Sequence, residues 1–142
     1  MNTQRFLVAV AVAFVFTFLC DFLIHAIWLD PDYRATSEVW RSEPQMQARF
    51  SWMVLAHVLM ALAWVVLWVK GAWRGGLLSG AVFGFWMGVF QHVIVVFVYV
   101  TVPMRGDIAA KWIGAGMVQA VLLGVIVAAL YNTAVRGTHR TV

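Results

Sequence analysis

The chain has 142 residues, 63% hydrophobic and only 11% charged, with a mean hydropathy of +0.87. Soluble domains run near half apolar and a quarter charged, so this composition excludes an ordinary soluble domain. A net charge of +4 would suit nucleic acid, but the ten Lys and Arg are scattered at the ends of apolar runs without a basic cluster, which argues against nucleic-acid binding.

Four apolar stretches, each about 20 residues or longer, are long enough to cross a bilayer core. They predict an all-α, up-down antiparallel bundle of four transmembrane helices forming one domain. The helices are expected over residues 6–29, 50–69, 77–102 and 108–131, with a polar outer segment at 30–49.

The start, MNTQR followed by apolar residues, mimics a signal peptide. The apolar run is too long for one and no small-x-small site closes it, so it reads as an uncleaved first helix. Along it Ala9, Ala13, Thr17, Asp21 and His25 recur every four residues, a ridge of small and then polar side chains that should face the bundle. Asp21 and His25 share one face inside otherwise hydrocarbon-buried sequence, where an ionisable group costs about 3 kcal/mol or more and needs a partner. Cys20, the sole cysteine, reads as a small buried hydrophobe.

In the outer segment Asp30-Pro31-Asp32 is a turn signal. Residues 35–40 suit a short surface helix held at headgroup level by Tyr33 and Trp40. Ser42-Glu43-Pro44-Gln45 has the form of a capping box that would start the second helix before it enters the membrane. That helix carries His57, with Ala61 one turn on, and leaves through Trp64, Trp68 and Trp73. Lys70, Gly71, Arg74, Gly75 and Gly76 make a basic hairpin that predicts antiparallel packing of the second and third helices.

The third helix has Gly80, Gly84 and Gly88 at four-residue intervals, and the next step of the series is His92, with Gln91 beside it. Such small-xxx-small spacing in an apolar span is a helix-packing signature. After the loop at 103–107, where Asp107 suits an N-cap, the fourth helix repeats the spacing at Gly116, Ala120, Gly124 and Ala128, with Gln119 next to the stripe. Lys111 is placed to snorkel to the interface, and the tail from Asn132, with Arg136, His139 and Arg140, to fray. Trp28, Trp40, Trp52, Trp112 and Tyr99 near one face, and Trp68, Trp73 and Tyr131 near the other, read as interfacial anchors; Trp86 sits alone in mid-span, where it reads as packing.

Threading the helices at 1.5 Å per residue puts Asp21 about 12 Å below the outer boundary, His57 about 10 Å, His92 about 15 Å, Gln119 about 16 Å and His25 about 6 Å. Four helices thus offer polar groups to one slab. Asp21 and the histidines suit a proton relay or a site for an ionisable substrate. Alternatively His57 and His92, with Asp21 or His25, would ligate a metal ion or haem, although no ligand-dense motif such as HExxH or CxxC is present. An enzyme acting on lipid or quinone, with His25 or His57 as base, is less expected, because no serine or cysteine nucleophile lies beside a base. The plainest competing reading is that these groups only fix packing, in a scaffold or accessory subunit whose glycine stripes bind partner helices or a second copy.

Lys and Arg divide evenly, with Arg5, Lys70, Arg74, Arg136 and Arg140 on the side of both termini and Arg34, Arg41, Arg49, Arg105 and Lys111 opposite. All five loop acids lie with the second set, so net charge favours cytoplasmic termini. His25-x-x-Trp28-Leu29, Tyr33, Trp40-Arg41, the basic glycine hairpin, the glycine-striped third helix, Pro103 and Trp112 together resemble small four-helix bacterial membrane proteins classed as domains of unknown function. The resemblance implies a bacterial inner-membrane location and carries over no site residues.

Overall fold

The structure is a computed structural model that describes residues 3–71, 73 and 75–137. It is an all-α four-helix bundle, and the four long helices are long and apolar enough to cross a membrane. In chain order the elements are α1 (Thr3–Asp21), a π-helical extension of it (Phe22–Trp28), α2 (Asp30–Ala35), a 3-10 turn (Ser37–Val39), α3 (Glu43–Gln47), α4 (Phe50–Lys70), α5 (Leu77–Thr101) and α6 (Gly106–Gly137). Large apolar side chains such as Leu78, Phe90, Phe97 and Val100 stand on the outside, as a lipid-facing surface requires.

The glycine stripes of α5 and α6 face each other. A Cβ on Gly80 would lie 2.5 Å from Ala128 Cβ, and one on Gly88 2.9 Å from Ala120 Cβ, while one on Gly84 would run into the Ala120 carbonyl. Without side chains the two backbones close to contact, and the stripes are occupied inside the chain instead of being offered to partner helices. The ridge of α1 is also inward: Ala9, Ala13 and Thr17 are buried. Helix α1 packs on α4 and on α6, and α6 packs on α5.

The hairpin makes α4 and α5 neighbours, as the sequence predicts, but without close backbone contact. They meet through large rings: Phe83 sits edge-on to Trp64, Trp68 and Trp73, with centroids 5.3, 5.4 and 5.0 Å away. Trp64 and Trp68 are therefore core residues, not an interfacial exit, because the gap between α4 and α5 needs bulk to fill it. Trp86, expected to pack, faces outward at 61% exposure. The hairpin turns on Gly75 and Gly76, whose φ of 76° and 88° belong to the left-handed region that glycine adopts without strain.

The outer segment differs most from expectation. Pro31 stands in the first turn of α2, where its missing N–H costs nothing, so Asp30-Pro31-Asp32 starts a helix instead of a turn. Of the short helix expected at 35–40, only the 3-10 turn forms. The capping box does form, with Gln45 Oε1 accepting from the Ser42 N–H at 3.2 Å, but Ala48 and Arg49 break the chain between α3 and α4.

Tyr33 and Trp40 fold down onto Val95, Met104, Ile108, Ala109 and Trp112. Lys111 does not snorkel free: its Nζ pairs with Asp32 Oδ2 at 2.7 Å. Thr36 closes this cap, donating to the Asp32 carbonyl and accepting from Trp40 Nε1, both at 2.9 Å. Asp107 lies inside the first turn of α6, not at its N-cap, and is engaged by Arg105. Helix α6 continues through Asn132 to Gly137 instead of fraying, and His139 and Arg140 lie outside the described residues. Cys20 is half-buried.

Candidate site at the Asp21–His57 pair

Asp21 ends the α-helical part of α1, one turn beyond Thr17, so the buried ridge carries its carboxylate into the bundle. Oδ2 lies 2.8 Å from His57 Nε2 on α4, and Oδ1 accepts from Gln119 Nε2 on α6 at 2.9 Å. Gln119 Nε2 also reaches the Thr17 carbonyl, at 3.3 Å. That carbonyl is an acceptor in every state, which fixes nitrogen as the amide atom facing α1. Three of the four spanning helices thus meet at one carboxylate.

The second ring nitrogen of His57 decides the proton count. Nδ1 lies 2.8 Å from the Met53 carbonyl, one turn back, so Nδ1 carries a hydrogen. With Nδ1 protonated, the 2.8 Å contact of Nε2 with Oδ2 needs one further proton. The pair is either imidazolium with carboxylate or imidazole with carboxylic acid. Both forms are neutral overall, which makes the pair tolerable at a position 8% exposed at His57.

His92 repeats the pattern. Its Nδ1 donates to the Gly88 carbonyl at 2.9 Å, again one turn back, leaving Nε2 pointing away from α5. The imidazole occupies the space left by Gly116, where a Cβ would overlap Nε2. The glycine series thus ends in a notch that seats a histidine. A cavity of about 140 Å³ beside it is lined by Asp21, Trp64, Gln91, His92 and Gln119 among others.

His25 turns elsewhere. The helix widens after Asp21 into the π-helical stretch, where Leu29 N–H donates to the Ile24 carbonyl five residues back at 2.9 Å. Asp21 faces His57 and Gln119, whereas His25 faces the outer cap, so the two residues are not partners of one another. Tyr33 Oη is 2.6 Å from His25 Nδ1 and accepts from Trp112 Nε1 at 2.7 Å. Its own hydrogen then has Nδ1 as acceptor, which places the imidazole hydrogen of His25 on Nε2. Burial pushes the Tyr33 phenol up to about 12; the Trp112 bond opposes the shift and the Asp32 charge adds to it.

The layer predicted from helix depth therefore assembles around Asp21, His57 and Gln119, with His92 on the same cavity and His25 displaced toward the cap. Sequence reasoning did not find Tyr33, Trp112 or Trp64 as site residues. Tyr33 and Trp112 carried a competing signal, since aromatic residues near a span end read first as interfacial anchors. Among the described residues no group of three or more His, Cys, Asp or Glu lies placed to hold a metal ion. Compared with protein-family models, curated proteins and solved structures, the chain matches none.

Proposed function

We propose that this multi-pass membrane protein holds an exchangeable proton in the Asp21–His57 pair, and that proton binding within the bundle is its working chemistry. The observation that carries the reading is the Nδ1 hydrogen bond of His57 to Met53, which leaves Nε2 and Oδ2 to share one proton. Gln119 holds the carboxylate in place from the other side, so the proton moves between fixed atoms. The net charge of the loops supports both termini in the cytoplasm, and the resemblance noted from the sequence supports a bacterial inner membrane.

Nitrogen-15 NMR of histidine in lipid bilayers tests it. Across the pH range in which the protein stays folded, His57 Nδ1 should remain protonated while Nε2 alone reports exchange with Asp21. Asp21→Asn should leave neutral His57 with its hydrogen on Nδ1 and remove the Nε2 exchange with residue 21. A His57 ring with bare Nδ1 and hydrogen on Nε2 in the parent protein would overturn the reading.

A scaffold role is the second reading, and the same bonds favour it, because they tie α1 to α4 and α6. It predicts that Asp21→Asn changes stability and that His57 Nε2 of the parent protein shows no proton exchange with Asp21.

A further inference from the structure

The two halves of the bundle are packed differently, and Asp21 marks the boundary. On the hairpin side, Ala9, Ala13, Ala61, Val65, Phe83, Val127 and their neighbours form an apolar core, and the cavity there, about 490 Å³ between Leu67, Gly71, Trp73, Phe83, Trp86 and Met87, has no ionisable side chain in its lining. On the other side three cavities follow one another. The 140 Å³ cavity at Trp64 and His92 shares Asp21, Gln91, His92, Gly116 and Gln119 with a second of about 370 Å³, which reaches His25 and Trp112. The second shares His25 with a third of about 850 Å³ under the outer segment, lined by Asp30, Arg34, Arg41 and Glu43 among others.

An independent observation lies at the closed end. Trp64, 1% exposed, lines the innermost cavity, and its indole Nε1–H is buried with no hydrogen-bond partner among the described residues. A buried donor left unpaired costs about 1–3 kcal/mol, so such a group marks a place where something else accepts the hydrogen bond. His92, with Nε2 as its acceptor, lines the same cavity, and both amide hydrogens of Gln119 are already used, which leaves its Oε1 as another acceptor. Donors and acceptors facing a space large enough for several molecules are what bound water requires.

We infer that these cavities form a hydrated half-channel, which connects the Asp21–His57 pair and His92 to the aqueous phase on the side of the 30–49 segment and ends blind at Trp64. Its occupants are water and the protons water carries. His92 is then the second proton-accepting group, placed across the cavity from Asp21, and His25 with Tyr33 forms the mouth. This deepens the proton-holding reading and fails separately from it: the pair can hold its proton beside a dry cavity, and the cavity can be wet beside a pair whose proton sits elsewhere.

Thiol reagents test the sidedness, because they react with thiolates in water and not with thiols in hydrocarbon. In a Cys20→Ser background, Gln91→Cys and Gln119→Cys report the cavity, Ala61→Cys and Val127→Cys the packed half, Ser37→Cys the outer segment and Lys70→Cys the hairpin. A membrane-impermeant thiosulfonate added to sealed vesicles should label the two cavity positions from the side that labels Ser37→Cys, and should leave Ala61→Cys and Val127→Cys unmodified. Cavity labelling from the Lys70→Cys side, from neither side, or matched by the packed positions would overturn the half-channel.

A measurement on the unsubstituted chain guards against misfolded variants. Water-edited NMR should transfer water magnetisation to the Trp64 indole N–H faster than to that of lipid-facing Trp86, and equal, slow transfer to both would also overturn it.

Discussion

Single atoms decide where the imidazoles of the candidate site can sit. Gly116 is the clearest case, since the His92 ring fills the volume its side chain would take. Gly116→Ala should push the imidazole off the Gly88 carbonyl and cost about 1–3 kcal/mol through overpacking. Gly114→Ala, two residues away and with nothing within 4 Å of its added Cβ, should be neutral or gain up to about 1 kcal/mol from helix propensity. Thermal unfolding of the two variants in detergent, with the His92 Nδ1 resonance as a local probe, separates them; equal melting of both would refute the notch. The sequence shows that His92 continues the Gly80, Gly84, Gly88 series, and spacing alone reaches that far. That Gly116 of another helix would be the residue opposite depends on helix register, which no single-chain pattern encodes.

At the scale of elements, α5 and α6 are joined by backbone proximity and α4 and α5 by aromatic bulk, which predicts opposite responses to size. Gly84→Val puts branched carbons against the Ala120 carbonyl and the Val121 Cα, 2.8 Å from the added Cβ, so it should destabilise the bundle by about 2 kcal/mol or more. Phe83→Ala, one residue earlier, removes a ring wedged among three indoles and should cost about 3–5 kcal/mol as a cavity. In combination, Gly84→Val should not recover what Phe83→Ala loses, because the added bulk falls on the α6 side. Denaturation of the single and double variants in mixed micelles checks this, and rescue would show that both residues face one interface.

The stripes were legible because small residues at four-residue spacing have one common use in apolar helices. The roles of Trp64 and Trp68 were not, because tryptophan near a span end serves equally as an interfacial anchor and as filler for a gap. Only the separation of α4 from α5 tells the two apart. The widening of α1 into a π-helix at Phe22–Trp28 has no marker in FLIHAIW, so the four-residue spacing that puts Asp21 and His25 on one face does not carry past Asp21.

For the molecule as a whole, the half-channel reading makes the docked outer segment the part that narrows the way to the pair, and Tyr33 makes that docking sensitive to alkali. The phenol hydrogen-bonds His25 and Trp112, and its ionisation is raised from 10.0 to about 12, first by burial, with the Asp32 charge adding and the Trp112 bond opposing. A phenol whose ionisation is raised in the folded state favours the protonated form there. Its contribution is complete below pH 10, shrinks as the undocked segment ionises first, and is lost as the pH passes about 12.

The charged groups around it are Asp32, Lys111 and Asp30, with Arg34 paired to Asp30 at 2.9 Å. Lys111→Gln removes the cation bound to Asp32, so that Tyr33 reports without a change in that ion pair. In this background, ultraviolet difference titration of the protein against its Tyr33→Phe variant should show one phenol ionising well above the ordinary tyrosine range. Labelling of Gln91→Cys should accelerate across pH 10 to 12 with Tyr33 present, beyond the reagent's own pH dependence measured at Ser37→Cys. With Tyr33→Phe the cavity should label faster at neutral pH and show no further rise in that window. A Tyr33 that ionises near 10, or a Gln91→Cys rate that follows Ser37→Cys throughout, would separate the phenol from control of the cavity mouth.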